Sequence, residues 1–244
     1  MKMLYVIFLL CLGLDAAAQQ RVTIKLTLDE SSVVKDSSGF QYPYAIWQKL
    51  MQSGNYGIRS AGNKPAAEFL IFTLSDAEKA KRIEALPKPR ETEVFKTGTK
   101  PGNFRFTDLD GNKFNLKELG GKVVVLNFWF INCGPCRQEI PDLNRLVLKY
   151  KDNPDVVFLA IGLDSRSEIK DFIKKSPFLY HLTENGRYLA QAYGVTGYPT
   201  HVVLDQSSKV AFHTSGLAYN TVYWIDKSIA IALQKPVPDN LKAD

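Results

Sequence analysis

Residues 123–141 read Val-Val-Val-Leu-Asn-Phe-Trp-Phe-Ile-Asn-Cys-Gly-Pro-Cys-Arg-Gln-Glu-Ile-Pro. An apolar run, Val123 to Phe130, leads into Cys133-Gly134-Pro135-Cys136, after which Ile140, Leu143, Val147 and Tyr150 recur at helical spacing. The cysteines therefore sit where a buried strand hands over to a helix N-terminus. The first turn of a helix offers unpaired N–H groups and the positive end of the macrodipole, and both favour a thiolate over a thiol. Two intervening residues bring the sulfurs within disulfide range, and Pro135 is tolerated because its missing N–H falls in the first turn. This spacing at a strand–helix junction predicts redox chemistry.

Two plainer readings compete. The cysteines could simply pack, but that leaves the Gly-Pro pair between them unexplained. They could be half of a zinc site, but a structural zinc needs about four ligands. The chain has no second cysteine pair, and His181, His201 and His213 are not spaced as ligands. A dithiol centre that needs no metal and no organic cofactor is the expectation.

Outward from this centre, the rest of the chain sets the context. At 244 residues there is room for one large domain or two modest ones. The net charge of +6 is mild and its basic residues are scattered, which argues against nucleic-acid binding. Lys2, the apolar stretch Leu4 to Leu14 and Ala16-Ala17-Ala18 read as a signal peptide over 1–18, with an uncleaved anchor as the alternative. Cys11 lies within that stretch behind Phe-Leu-Leu, where a lipid-attachment site would favour smaller residues. Without this segment only Cys133 and Cys136 remain, so an exported form has no structural disulfide framework and its single pair is a working one.

Val22 to Leu28 alternates as a half-buried strand. A polar break over 29–39 holds only the apolar pair Val33-Val34, Tyr44 to Met51 suits a short helix, and Gly54, Gly57 and Gly62 mark turns. Glu68 to Leu74 reads as a strand, and Ser75-Asp76-Ala77-Glu78 starts a capped helix that Pro87 and Pro89 stop. Trp47, Tyr42 and Tyr44 could form a docking surface, although the core of a small module is the simpler reading. Residues 19–86 are thus expected to form a small α+β module and 87–102, proline-bearing and mixed in charge, an exposed linker.

From Asn103 the pattern tightens. Strands are expected at Phe104–Phe106, Phe114–Leu116, Val123–Phe130, Val156–Gly162 and Phe178–Leu182, with helices after the cysteines, over Ser165–Lys175 and over Gly186–Tyr193. Thr200–Leu204 and Val210–Thr214 read as a hairpin, and Thr221–Leu233 as a closing helix. Parallel crossovers followed by a hairpin predict an α/β fold with a mixed sheet covered on both faces.

This half of the chain resembles the thioredoxin superfamily, and most closely its exported TlpA-like and ResA-like thiol–disulfide oxidoreductases. The resemblance spans roughly Pro101 to Gln234 and rests on Asn127 to Pro141, on Tyr193-Gly-Val-Thr-Gly-Tyr-Pro199-Thr200 before the hairpin, and on Gly216. It implies a thioredoxin-like domain over 103–235 with a tail over 236–244. It also implies that Cys133 is the exposed nucleophile and Cys136 the buried resolving cysteine, joined as a redox-active disulfide. Pro199 would be a cis-proline, and Tyr198, Pro199, Gly134 and Pro135 would meet the client. Thioredoxins proper carry an aspartate where this chain has Asn127, and a tryptophan where it has Asn132. Asn127 cannot act as a base, so the resolving thiol loses its proton to a second carboxylate or through water. Glu139, one helical turn past Cys136, is a candidate proton relay, against the alternatives of a solvated helix-face residue or one that orients loop backbone. His201, two residues past Pro199 and so on the same strand face, is expected to be satisfied or exposed, with a proton-transfer role as the alternative.

The expected function is that of an exported, periplasmic or envelope protein-disulfide reductase, acting on disulfide-bearing clients and re-reduced by a thiol protein at the membrane. An oxidase or isomerase is the alternative within the same chemistry. A peroxidase would show Pro-x-x-x-Thr-x-x-Cys, which is absent. The alternative outside enzymes is a redox-regulated binding protein whose N-terminal module holds the partner. Because the pattern after Pro101 reads as complete, residues 19–95 are expected to be dispensable for the dithiol chemistry but to matter for partner choice or stability.

Overall fold

The computed structural model describes residues 28–61 and 68–234. The expected signal segment, the strand expected over 22–28 except for Leu28, and the C-terminal tail lie outside them. The chain divides into two compact units at Leu74/Ser75.

In the first unit, β1 (Val33–Lys35), β2 (Gln41–Tyr42), β3 (Tyr56–Ser60) and β4 (Glu68–Thr73) form a sheet in the order β2-β1-β4-β3. Helix α1 (Tyr44–Gln52) turns Trp47 onto it, so that Val34, Trp47, Phe69 and Ile71 make up the buried core. Tyr44 meets Trp47 edge-on with ring centroids 5.1 Å apart, which makes this aromatic group a core. Within the polar break only Val33–Lys35 is a strand; Gly54 lies in a turn as expected, Gly57 lies inside β3, and Gly62 is outside the described residues. Gly57 pairs with Phe72, and a Cβ on it would come within 2.6 Å of the Phe72 ring, so this glycine makes room for an aromatic.

The second unit opens with α2 (Asp76–Ala85), whose Ser75 and Glu78 form the expected capping box. Its sheet runs β11-β10-β7-β8-β9. β7 (Val123–Trp129), β8 (Val156–Gly162) and β9 (His181–Thr183) are parallel, while β10 (Thr200–Leu204) lies antiparallel to both β7 and β11 (Val210–Ser215). A short hairpin, β5 (Arg105–Thr107) and β6 (Lys113–Asn115), stands apart. The helices are α3 (Gly134–Lys149), α4 (Arg166–Lys175), α5 (Arg187–Ala192) and α6 (Thr221–Gln234). Pro141 lies inside α3, which continues through it to Lys149.

Every residue of β7 is buried because both faces of the sheet are covered. Val123, Val125 and Trp129 pack with Ile140 and Leu143 of α3, Ile169 of α4, and Ile225 and Ile229 of α6. Val124, Leu126 and Phe128 pack on the other face with Leu159, Ile161, Val202 and Ala190 of α5. Burying one such side chain contributes about 1.5–3 kcal/mol, so β7 is the most strongly held element and a rigid base for whatever follows it. By strand alternation Asn127 shares the face of Val125 and Trp129.

The stretch expected as an exposed linker is docked along this unit. Asn220 Nδ2 donates to the Pro87 carbonyl at 2.9 Å, Thr214 Oγ1 to that of Arg90 at 2.7 Å, and Thr92 N–H to His213 Nδ1 at 3.1 Å. Phe95 enters the core beside Phe128 and Tyr193. Gly98 N–H bonds to the Val210 carbonyl, and Val210 N–H to that of Thr99. Prolines and charges report that the segment is not a helix; they cannot report what it lies against.

Candidate active site

The turn that carries the cysteines is fixed from both sides. Ile131 N–H donates to Asp164 Oδ2 at 2.7 Å, Leu163 N–H donates to the Trp129 carbonyl at 3.1 Å, and Cys133 N–H donates to the Phe130 carbonyl at 3.1 Å. Asp164 follows β8 and has no motif to announce it, so sequence reasoning missed it. Cys133 is the N-cap of α3 and Pro135 lies in the first turn, as the spacing required. Cys133 and Cys136 are joined in a disulfide. The Cys136 N–H donates to Cys133 Sγ at 3.2 Å, which places an unpaired helix-terminal donor on that sulfur and not on its partner.

One expectation changes here. Cys133 was to be exposed and Cys136 buried, yet they are 5% and 3% exposed. The bond draws both sulfurs against the α3 face of the sheet, so accessibility does not separate them and the helix-terminal hydrogen bond does. Gly134, Pro135 and Asn132 are the exposed members of the turn.

The Tyr198–Pro199 peptide bond is cis, and Pro199 is buried while Tyr198 is half-buried. The Tyr198 ring meets Phe130 edge-on with centroids 5.4 Å apart, tying this loop to the segment that enters the cysteine turn. Burial holds the Tyr198 hydroxyl above the usual phenol range, with Arg187 opposing it. A 370 Å³ groove beside the loop is lined by Thr196, Gly197, Tyr198, Ser215 and Gly216, with Arg90 to Val94 as its far wall.

Beneath the cysteines lies a buried polar chain. His201 pairs with Asn127 across β10 and β7, and the Asn127 Nδ2 is 3.1 Å from His201 Nδ1. His201 Nε2 lies 2.8 Å from Glu139 Oε2. Glu139 is 5% exposed and His201 fully buried, so neither is solvated as a helix-face glutamate or a surface histidine would be. Glu139 Oε1 is buried with no hydrogen-bond partner among the described residues. The Tyr180 hydroxyl is also buried and unpartnered, and is pushed up by burial and by the charge of Glu139. Sequence reasoning noted Glu139 and His201 separately but not as a pair, since nothing marks a contact across 62 positions. Among the described residues no cluster of three or more His, Cys, Asp or Glu could hold a metal ion.

A cysteine pair at a helix N-terminus, raised on the central strand of a mixed five-stranded sheet, is a thioredoxin-like dithiol centre. Comparison with known proteins carries this to a family. The AhpC/TSA family matches residues 97–213. The thiol-disulfide oxidoreductase ResA of Bacillus thuringiensis is 35% identical over 126 residues, 51% of this chain and 72% of that protein. The thioredoxin-like protein YneN of Bacillus subtilis is 30% identical over 115 residues, covering 46% and 68%. A solved structure from Chlorobium tepidum, described as a thiol:disulfide interchange protein DsbE, superposes with a TM-score of 0.52 at 28% identity, covering 57% of this chain and 99% of that one. The chain belongs to the ResA-like thiol–disulfide oxidoreductases of the thioredoxin superfamily.

Proposed function

We propose that this protein is an exported reductase of client protein disulfides, working through Cys133 and Cys136. The observation that carries the reading is the Cys136 N–H directed at Cys133 Sγ at the start of α3. In the reduced protein that donor, with the helix dipole, stabilises a Cys133 thiolate. The thiolate attacks a client disulfide, giving a Cys133–client mixed disulfide and a client thiolate. Cys136 then attacks Cys133 Sγ, the second client sulfur leaves, and the Cys133–Cys136 bond forms. The client has gained two electrons, which a membrane thiol reductant restores to the pair. Glu139 accepts the proton that Cys136 gives up. Tyr198 and Pro199, with the exposed Gly134 and Pro135, form the surface that the client peptide meets.

The reductive direction is supported by the uncharged Gly-Pro dipeptide, which adds little to thiolate stability beyond the helix terminus. Export is supported by the leader-like pattern of residues 1–18. Among the described residues no helix is long and apolar enough to cross a membrane.

Insulin-disulfide reduction tests the activity and should fall to background in Cys133→Ser. Equilibration against dithiothreitol or glutathione tests the direction. A potential near the thioredoxin value of about −270 mV supports the reductase. One near the strong-oxidant value of about −120 mV, roughly 7 kcal/mol away, makes the protein a disulfide donor.

A further inference from the structure

We propose that His201 is the positioning residue of the resolving step: it holds Glu139 by one carboxylate oxygen and leaves the other free to take the Cys136 proton. The proposal rests on the reading of Glu139 as proton acceptor, and adds the residue that makes Glu139 competent. His201 lies outside the dithiol machinery of the proposed function.

With the amide nitrogen of Asn127 assigned to the side facing the ring, the hydrogen positions follow from the donors. The Asn127 amide nitrogen lies 3.1 Å from Nδ1 and 3.4 Å from Nε2 of the His201 ring. An amide N–H can serve only an unprotonated ring nitrogen, and Nε2 is already committed to Glu139 at 2.8 Å. The amide hydrogen therefore goes to Nδ1, which leaves the ring proton on Nε2, where it donates to Glu139 Oε2. This order requires an acceptor at Oε2, as a carboxylate provides. With Nδ1 protonated instead, two donors would face each other across the strand pair. Asn127, which cannot take a proton, thus acts through the tautomer it imposes.

Glu139 Oε1 is the consequence. A buried carboxylate oxygen without a partner is costly to keep and calls for a function or a transient donor. Glu139 and Cys136 are three residues apart on the buried face of α3, which places them on one side of the helix one turn apart. The other titratable groups of this region are Cys133 on the same helix and Tyr180, Tyr150 and Tyr198, whose hydroxyls are all pushed up by burial and held protonated. From α6 come the non-titratable Val222, Trp224, Ile225, Ile229, Ala232 and Leu233, its Asp226 is held by Lys149 and Tyr150 at the far end of α3, and Lys88 lies over Phe212 and Trp224. No base among them other than Glu139 stands next to the resolving thiol. In the step, the bond from Cys133 Sγ to the client sulfur breaks, the Cys133–Cys136 bond forms, the client leaves as thiolate, and the Cys136 proton moves to Glu139.

The test uses the whole reduced protein and an aromatic nitrobenzoate disulfide that releases a coloured thiolate at each step. The first release reports attack by Cys133 and the second attack by Cys136. His201→Leu should raise the pH midpoint of the second phase by at least one unit and slow it about tenfold at neutral pH, with the first phase unchanged. His201→Gln, whose amide can still donate to Oε2, should recover most of the rate. Glu139→Gln should shift the second phase at least as far as His201→Leu. If Glu139→Gln shifts that phase and His201→Leu does not, the positioning role is overturned while the Glu139 reading stands. If Glu139→Gln changes nothing, the reading of Glu139 itself fails. Should the leucine variant not fold, nitrogen NMR of the wild-type ring decides: a proton on Nε2 supports the proposal, and a proton on Nδ1 overturns it.

Discussion

In the N-terminal unit Val34, Trp47, Phe69 and Ile71 form the buried apolar core of the described residues, under strands as short as two residues. In the second unit β7 alone buries seven residues, six of them apolar, with a layer of helices or aromatics on each side. The dithiol, the cis-proline loop and the Glu139–His201 pair all belong to the second unit, where rigid packing can hold hydrogen-bond geometry. A four-residue core leaves a small margin, since net stability is a small difference between large opposing terms. The groups of the candidate site thus lie in the unit with the larger core.

That comparison can be broken most decisively at its boundary. A chain starting at Ser75 should fold and reduce a generic disulfide as the whole protein does. One starting at Lys96 loses Phe95 together with the bonds from Asn220, Thr214 and Thr92. Loss of a buried Phe side chain costs about 3–5 kcal/mol, and each lost hydrogen bond roughly another 1 kcal/mol. The shorter chain should therefore be largely unfolded by circular dichroism. If it folds and reduces disulfides normally, the docked segment is not part of the unit.

Trp47→Ala sharpens the comparison from the other side. Its cost of about 3–5 kcal/mol should melt the first unit, seen as fast amide exchange over residues 33–73, while generic disulfide reduction is unchanged. An equal loss of activity would mean that the dithiol chemistry depends on the first unit.

The smallest expected effect is the pH response of the segment docked on β11. Burial lowers the His213 pKa below its ordinary 6.5, a neighbouring Glu91 raises it and Lys88 lowers it further. A histidine folded in its neutral form contributes fully above the unfolded value. That contribution is lost as pH falls from about 6.5 toward the lower folded value, because the unfolded chain takes up the proton first. Denaturant titrations should show stability falling over this range, and falling less in His213→Gln. Equal slopes would remove His213 as the cause.

The sequence made the second unit legible where burial is two-sided. Val123–Phe130, Val156–Gly162 and Thr200–Leu204 stand out as apolar runs, and Cys-Gly-Pro-Cys marks the strand–helix junction. In the first unit β4 was legible as Glu68 to Leu74, whereas β1 and β2 are too short to show a period and Gly57, which reads as a turn, makes space for Phe72 inside β3. The docked segment escaped because its contacts reach across more than a hundred residues to His213, Thr214 and Asn220. At the site, both cysteines and Glu139 could be named in advance. His201 could be named too, but not its pairing with Glu139, because strand register decides which residue stands opposite Asn127.

The docked segment also bears on the protein's solubility. β11 is an outermost strand of the sheet, and an open strand of this kind offers unpaired N–H and C=O groups to any other chain in a crowded compartment. Gly98 and Thr99 bond to the backbone of Val210 at one end of β11, and the side chains of Thr214 and His213 hold Arg90 and Thr92 alongside the other. At the opposite margin β9 is only three residues long. The sheet thus presents little edge to a neighbouring copy, a form of protection against aggregation that this protein carries within its own chain.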